Sequence, residues 1–212
     1  NTYDTLERLR NLYEEALSVP GVIGLSIGTR ADCVDGPKLD YLGELSKRYD
    51  ITVEYGLESI SNETLKMINR GHTYEEFCYA VEESHKRGIK TCAHVILGFP
   101  WEDKELWLKT AKELNRLKIT FLKLHQLHIV KGTELARRYQ EQPFKLFTQA
   151  EYLDMVIEFL EHLSPEIIIQ RVVGEAHAQT LLAPNWNVRT HDFLEALEAE
   201  MKKRGAYQGR LA

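Results

Sequence analysis

What this chain of 212 residues lacks narrows the field first. It has no apolar run long enough to span a bilayer and no low-complexity tract, which argues against a membrane span or a fibrous or disordered class. It is poor in cysteine: Cys33, Cys78 and Cys92 are odd in number and widely spaced. That argues against a disulfide framework, and no pair has the close spacing of a zinc or iron–sulfur site. Positive charge is not in excess either. Twenty-seven Lys and Arg against 32 Asp and Glu give −5, which weighs against non-specific nucleic-acid binding. The opening residues are polar and helix-like rather than leader-like, so a reducing, cytoplasmic location without membrane association is the expectation.

What is present is a repeating rhythm. Apolar spacing predicts a helix over Thr5 to Leu17, stopped by Pro20 and Gly21, then a buried strand over Val22–Ile27. A helix over Leu39 to Tyr49 and a strand over Ile51–Leu57 follow. Ser61 or Asn62 caps a short helix, and Thr73 caps a longer one, Tyr74 to Lys86, stopped by Gly88. The stretch Thr91 to Glu102 reads as a third strand that breaks into a loop at Gly98 and Pro100. Glu105 to Leu117 is a helix and Phe121–Ile129 a fourth strand. Strands alternating with helices of this length predict right-handed βαβ units and a parallel sheet, either open and doubly wound or part of a (β/α) barrel. After Gly132 the rhythm changes to a helix over Phe147–Leu163, one strand over Ile167–Val173 and a last helix over Asp192 to Lys203. The expected organisation is a core over 1–133 with a C-terminal extension over 134–212.

Period-two alternation sorts the strand residues into two faces. Ser26, Gly28 and Arg30 oppose Leu25 and Ile27; Glu54, Gly56 and Glu58 oppose Val53 and Leu57; Lys123 and His125 oppose Leu122 and Leu124. Arg30, Glu54, Glu58, His94, Lys123 and His125 are thereby predicted to meet on one concave face. Each charge taken alone has a plainer reading, mutual neutralisation inside a wide barrel. Four successive strands with polar groups at the same end favour a functional reading of the set. Two chemistries compete for it. A metal-dependent hydrolase would use His94, His125 and His128 with Glu58, but no strand carries a His-x-His pair. A cysteine nucleophile would need Cys33 or Cys92 beside a histidine. Cys92 shares the parity of His94, yet it lies early in the strand and reads as a small core residue.

Five motifs in order carry a resemblance: Ser26-Ile27-Gly28-Thr29-Arg30, Val53-Glu54-Tyr55-Gly56-Leu57-Glu58-Ser59, Ile68-Asn69-Arg70-Gly71-His72, His94-Val95-Ile96-Leu97-Gly98-Phe99-Pro100 and Lys123-Leu124-His125. Together they resemble the later strands of a radical S-adenosylmethionine (radical SAM) enzyme. Within that superfamily the chain is similar to a bacterial subfamily of unassigned reaction, related to coproporphyrinogen dehydrogenase and the Elongator catalytic subunit. The resemblance extends to Ile169-Gln170-Arg171 and Pro184-Asn185-Trp186. It implies an α/β fold, a partial (β/α) radical-SAM-type barrel with a C-terminal α/β extension.

The resemblance also implies residue roles. Glu58 would contact the ribose of S-adenosylmethionine (SAM), Arg70 its carboxylate, and His94 the ribose from the next strand. Ile96 and Gly98 would pack on adenine, and Gln126 to His128 would meet the adenine edge. In such an enzyme Arg30, Glu54, Lys123, His125 and Arg171 are the expected substrate contacts, with Lys123, His125 and Arg171 alternatively meeting the SAM carboxylate. The family reaction is one-electron cleavage of SAM by a four-iron four-sulfur cluster, giving a 5′-deoxyadenosyl radical; the substrate, small molecule or tRNA, is not readable. One departure matters. The family's CxxxCxxC loop has no counterpart here. The expectation is therefore a chain beginning after the cluster-bearing unit, without the cluster and inactive alone, its sheet edge free to pair with a second copy. A complete hydrolase, or a SAM- or nucleotide-binding module, is the alternative.

Overall fold

A computed structural model describes residues 1–212, which divide into two compact units. The first comprises residues 1–95 and 117–122, the second residues 96–116 and 123–212.

In the first unit, α1 (Leu6–Leu17) is capped by the Thr5 hydroxyl, which accepts from the Arg8 N–H, and it buries Leu9, Tyr13 and Leu17. Strand β1 (Gly24–Thr29) runs into a 3₁₀ turn at 31–33, and α2 (Gly36–Ser46) follows with Asp35 as its cap. Strand β2 (Asp50–Glu58) lies parallel to β1, with Gly24 opposite Asp50 and Thr29 opposite Tyr55. Two capped helices come next. Ser61 starts α3 (Asn62–Met67), and Thr73 with Glu76 forms a reciprocal capping box at α4 (Tyr74–Lys86). Strand β3 (Lys90–Leu97) then lies parallel to β2, on the side away from β1. The Thr120 N–H donates to the Thr91 carbonyl, so the start of β4 (Phe121–Gln126) follows β3. The alternation expected of β2 is realised: Ile51, Val53, Tyr55 and Leu57 are at most 2% exposed. Phe77, Ala80 and Val81 of α4 are equally buried. Tyr55 settles its hydroxyl on Ser84, which donates in turn to the Ala80 carbonyl.

The second unit begins with the end of β3 and α5 (Lys104–Leu117) and continues through the rest of β4, which neighbours β6 (Ile168–Arg171). The fourth strand is shorter than its apolar run suggests. It ends at Gln126, and Ile129–Val130 forms β5, paired antiparallel with β7 (Leu181–Ala183). Helix α6 (Glu134–Glu141), unanticipated in a polar segment, is held on its surface by Arg137 bridging Glu134 and Glu141. Helix α7 (Gln149–His162) starts two residues later than Phe147, because Thr148 and Glu151 close a second capping box. Helix α8 (Thr190–Arg204) stops at Gly205, whose φ of 63° only glycine adopts without cost. Tyr152, Phe147, Trp186 and Phe193 form an aromatic cluster, and the Tyr152 hydroxyl donates to the Val172 carbonyl. No helix is long and apolar enough to cross a membrane.

Candidate functional site

The polar face of the first unit starts from strand register. Glu54 lies opposite Cys92 and Gly56 opposite His94, so one side of β2 and β3 carries all four. His94 donates through Nε2 to the Glu54 carboxylate at 2.8 Å. The Cys92 thiol joins them, each donor atom lying within 4.8 Å of the other two. Cys92 is sealed at 0% exposure, whereas the side chains of His94 and Glu54 keep 25% and 11%. Sequence parity hinted at this thiol, but only the register of two strands shows that Glu54 completes the group.

At the end of β2 the backbone departs from regular geometry. The register slips between Gly56 and Glu58, and Glu58 takes a left-handed φ of 67°. A non-glycine residue there costs roughly 1–3 kcal/mol, and such strain collects at ligand sites. The slip leaves a niche over Gly56. Arg70 Nε donates to the Gly56 carbonyl at 2.8 Å, and His72 Nε2 reaches the same oxygen at 3.0 Å. Arg70 Nη2 lies 3.4 Å from Glu58 Oε1. A Cβ on residue 56 would stand 1.9 Å from that Nη2 and 2.6 Å from the Glu58 oxygen. Only glycine fits. Burial pushes the Glu58 carboxyl above its ordinary value, and the Arg70 charge offsets this only in part. The two N–H donors on Nη1 make no hydrogen bond within the protein.

Arg30 stands close by, its guanidinium 3.3 Å from where a Gly71 Cβ would be. It forms a two-pronged pair with Asp32, whose carboxyl it holds below the usual range. Arg30, Arg70, Thr29, Cys33 and Tyr3 line a cavity of about 400 Å³.

In the second unit, Lys123 and His125 alternate with the fully buried Leu122 and Leu124, as their parity predicts. Arg171 Nη2 donates to His125 Nε2, while the buried Arg171 Nε has no partner. Gly174 closes over the imidazole, since a Cβ there would stand 2.3 Å from Nδ1. Gln126 turns away and exchanges two hydrogen bonds with the backbone of Gly174, at 2.8 and 2.9 Å. With His128, Trp186 and Thr190 it lines a cavity of about 320 Å³, and burial holds the His128 imidazole below its ordinary pKa. Ile96 is half-buried, and Gly98 (φ 101°) is pressed against Phe147, 2.8 Å from a notional Cβ. Of the residues a hydrolase would use, Glu58 pairs with Arg70 and His125 with Arg171, each within its own unit.

The profile of the radical SAM superfamily matches residues 1–114. This chain belongs to the radical SAM superfamily. The profile of the radical SAM C-terminal domain matches residues 119–203. The protein MJ0486 of Methanocaldococcus jannaschii is 39% identical over 211 residues, covering 99% of this chain and 66% of its own length. The Bacillus subtilis protein YtqA is 35% identical over 210 residues, covering 99% and 65%. The chain thus spans about two thirds of the length of these curated relatives. Among solved structures, the N-terminally deleted Elp3 of Methanocaldococcus infernus superposes with a TM-score of 0.77 at 23% identity, covering 88% of this chain and 43% of that one. The α/β fold with parallel strands and flanking helices is the one it shares.

Of the cofactors that membership brings, SAM suits the residues present. The niche over Gly56 offers an arginine with free donors for a carboxylate and a buried carboxylate for a hydroxyl. A three-thiolate cluster does not. The one group of metal-ligating side chains that the fold gathers holds a single thiol, Cys92.

Proposed function

We propose that this chain supplies SAM-binding groups of a radical SAM enzyme and that the niche over Gly56 is where the amino-acid end of SAM is held. One observation carries the reading: a glycine whose missing Cβ lets Arg70 lie flat on β2, tied at Nε and open at Nη1. Arg70 would take the carboxylate of SAM with Nη1. A charge-assisted contact of this kind contributes about 1.5–3 kcal/mol. Glu58 would accept from a ribose hydroxyl, as the resemblance implies. His94 would reach the ribose from β3, as the resemblance implies, beside its hydrogen bond to Glu54. Ile96, Gly98, Gln126 and His128 remain adenine contacts implied by resemblance alone, and Arg30 and Glu54 substrate contacts on the same footing. Bound SAM supplies hydrogen-abstracting radical chemistry; the protein's part is to orient it and keep water out.

Lys123, His125 and Arg171 are proposed to bind an anionic group of the substrate. Arg171 is half-buried with Nε unpaired, an arrangement that a carboxylate or phosphate would complete. On this reading the 212 residues bind SAM without turning it over. Titration calorimetry of the purified chain with SAM tests the binding. One saturable site, weakened at least about tenfold by Arg70→Ala, is expected. A titration without heat, or one that Arg70→Ala leaves unchanged, overturns the assignment.

A further inference from the structure

The trio on the inner strands offers a chemistry beyond the SAM and substrate contacts assigned to His94 and Glu54. Glu54, Cys92 and His94 offer one oxygen, one sulfur and one nitrogen, all within 4.8 Å of one another. They come from adjacent positions on two parallel strands, whose opposite faces (Val53, Tyr55, Ala93 and Val95) are at most 1% exposed. That backing fixes the three Cα positions, so the donors converge by construction rather than by a mobile loop. The hydrogen bond between His94 and Glu54 explains two of the three residues. The Cys92 thiol, which donates to the neighbouring Ala93 carbonyl at 3.8 Å, adds the third donor.

We propose that Glu54, Cys92 and His94 form a binding site for a divalent transition metal of the zinc class. Imidazole, thiolate and carboxylate are the donors zinc takes, at about 2.0–2.3 Å, and three protein ligands with one open position is the pattern of a reactive zinc site. Tetrahedral geometry at those bond lengths sets the donors about 3.3–3.7 Å apart. The trio needs small changes to reach it. The His94 and Glu54 atoms, 2.8 Å apart, must separate by about half an ångström, and the thiol must close in by up to about an ångström. Rotation about side-chain bonds covers both. Cys92 seals one side, and the partly exposed His94 and Glu54 leave the fourth position to the other, where a water or a substrate oxygen would bind. The metal site needs only these three donors, so the proposal does not rest on the SAM reading.

Cobalt(II) titration of the chelator-treated, full 212-residue chain tests it, followed by visible absorption. One equivalent with a thiolate-to-cobalt charge-transfer band is expected. Cys92→Ser should abolish that band, whereas Cys33→Ser and Cys78→Ser should keep it. His94→Gln and Glu54→Gln should each weaken cobalt binding at least about tenfold. Should Cys92→Ser fail to fold, Glu54→Gln, which keeps the shape of the side chain, carries the test. No cobalt taken up, or a band that follows Cys33 or Cys78, overturns the proposal. Failure here leaves the calorimetry with SAM standing, because that titration reports on Arg70.

Discussion

Gly56→Ala is the smallest change that should dismantle the niche. Gly56 has ordinary strand dihedrals, so alanine brings no backbone strain. By itself it would stabilise a strand by about 0.5–1 kcal/mol through lower chain entropy. The added methyl, however, would sit 1.9 Å from Arg70 Nη2 and 3.0 Å from Cζ, so the guanidinium has to leave. With it goes the hydrogen bond to the Gly56 carbonyl, worth about 1.5–3 kcal/mol for a charged donor, and the charge opposite Glu58. The net expectation is a loss of about 1–3 kcal/mol of folding stability, measured by urea unfolding at neutral pH. A double-mutant cycle gives the decisive comparison. If the methyl acts mainly by evicting Arg70, most of the cost of Gly56→Ala disappears in an Arg70→Ala background, leaving the displacement of Glu58 Oε1, 2.6 Å from the new Cβ, and the coupling approaches the larger part of the single-mutant effect. Additive losses, or a Gly56→Ala protein as stable as the parent, would refute the reasoning.

Other consequences follow from the same geometry. Glu58 is held protonated to a higher pH in the folded state than its ordinary 4.5, so the folded chain binds the extra proton. Stability should fall as pH rises from about 4.5 through the raised folded-state value, and Glu58→Gln should flatten that segment of a urea-midpoint against pH curve. His85 and His128 behave in the opposite sense. Burial lowers both from 6.5, so stability should fall as pH drops below that value, and NMR titration should show both imidazoles neutral at pH 7. Gln126→Ala removes two hydrogen bonds to Gly174 in a buried setting, and a loss of about 2–4 kcal/mol in urea unfolding is expected.

Much of this arrangement was legible one element at a time. Thr73 announced the start of α4, and the alternation of Val53 and Leu57 placed Glu54 and Gly56 on the opposite face of β2. Local chemistry decides both. Juxtapositions that depend on register or on a return of the chain were out of reach. Glu54 meets His94 across 40 residues, and Arg70 reaches back 14 residues to the Gly56 carbonyl. Cys92 reads as a small core residue and is one, fully buried; that Glu54 and His94 stand beside it depends on the register of two strands. The apolar run through Ile129 hid the end of β4, since Ile129 serves a different two-stranded pair whose partner lies at Leu181–Ala183. Arg171 was marked only by resemblance, and its orphaned Nε is visible only once Gly174 folds over His125.

Amide chemical-shift mapping of the labelled protein observes directly where SAM meets this chain. Titration with SAM should move the amides of Gly56 to Glu58, Arg70 to His72 and His94, with saturation at one equivalent, and Arg70→Ala should abolish the movement at low SAM. Shifts absent from those segments at saturating SAM, or confined to the cavity lined by Gln126, His128 and Trp186, would contradict the assignment.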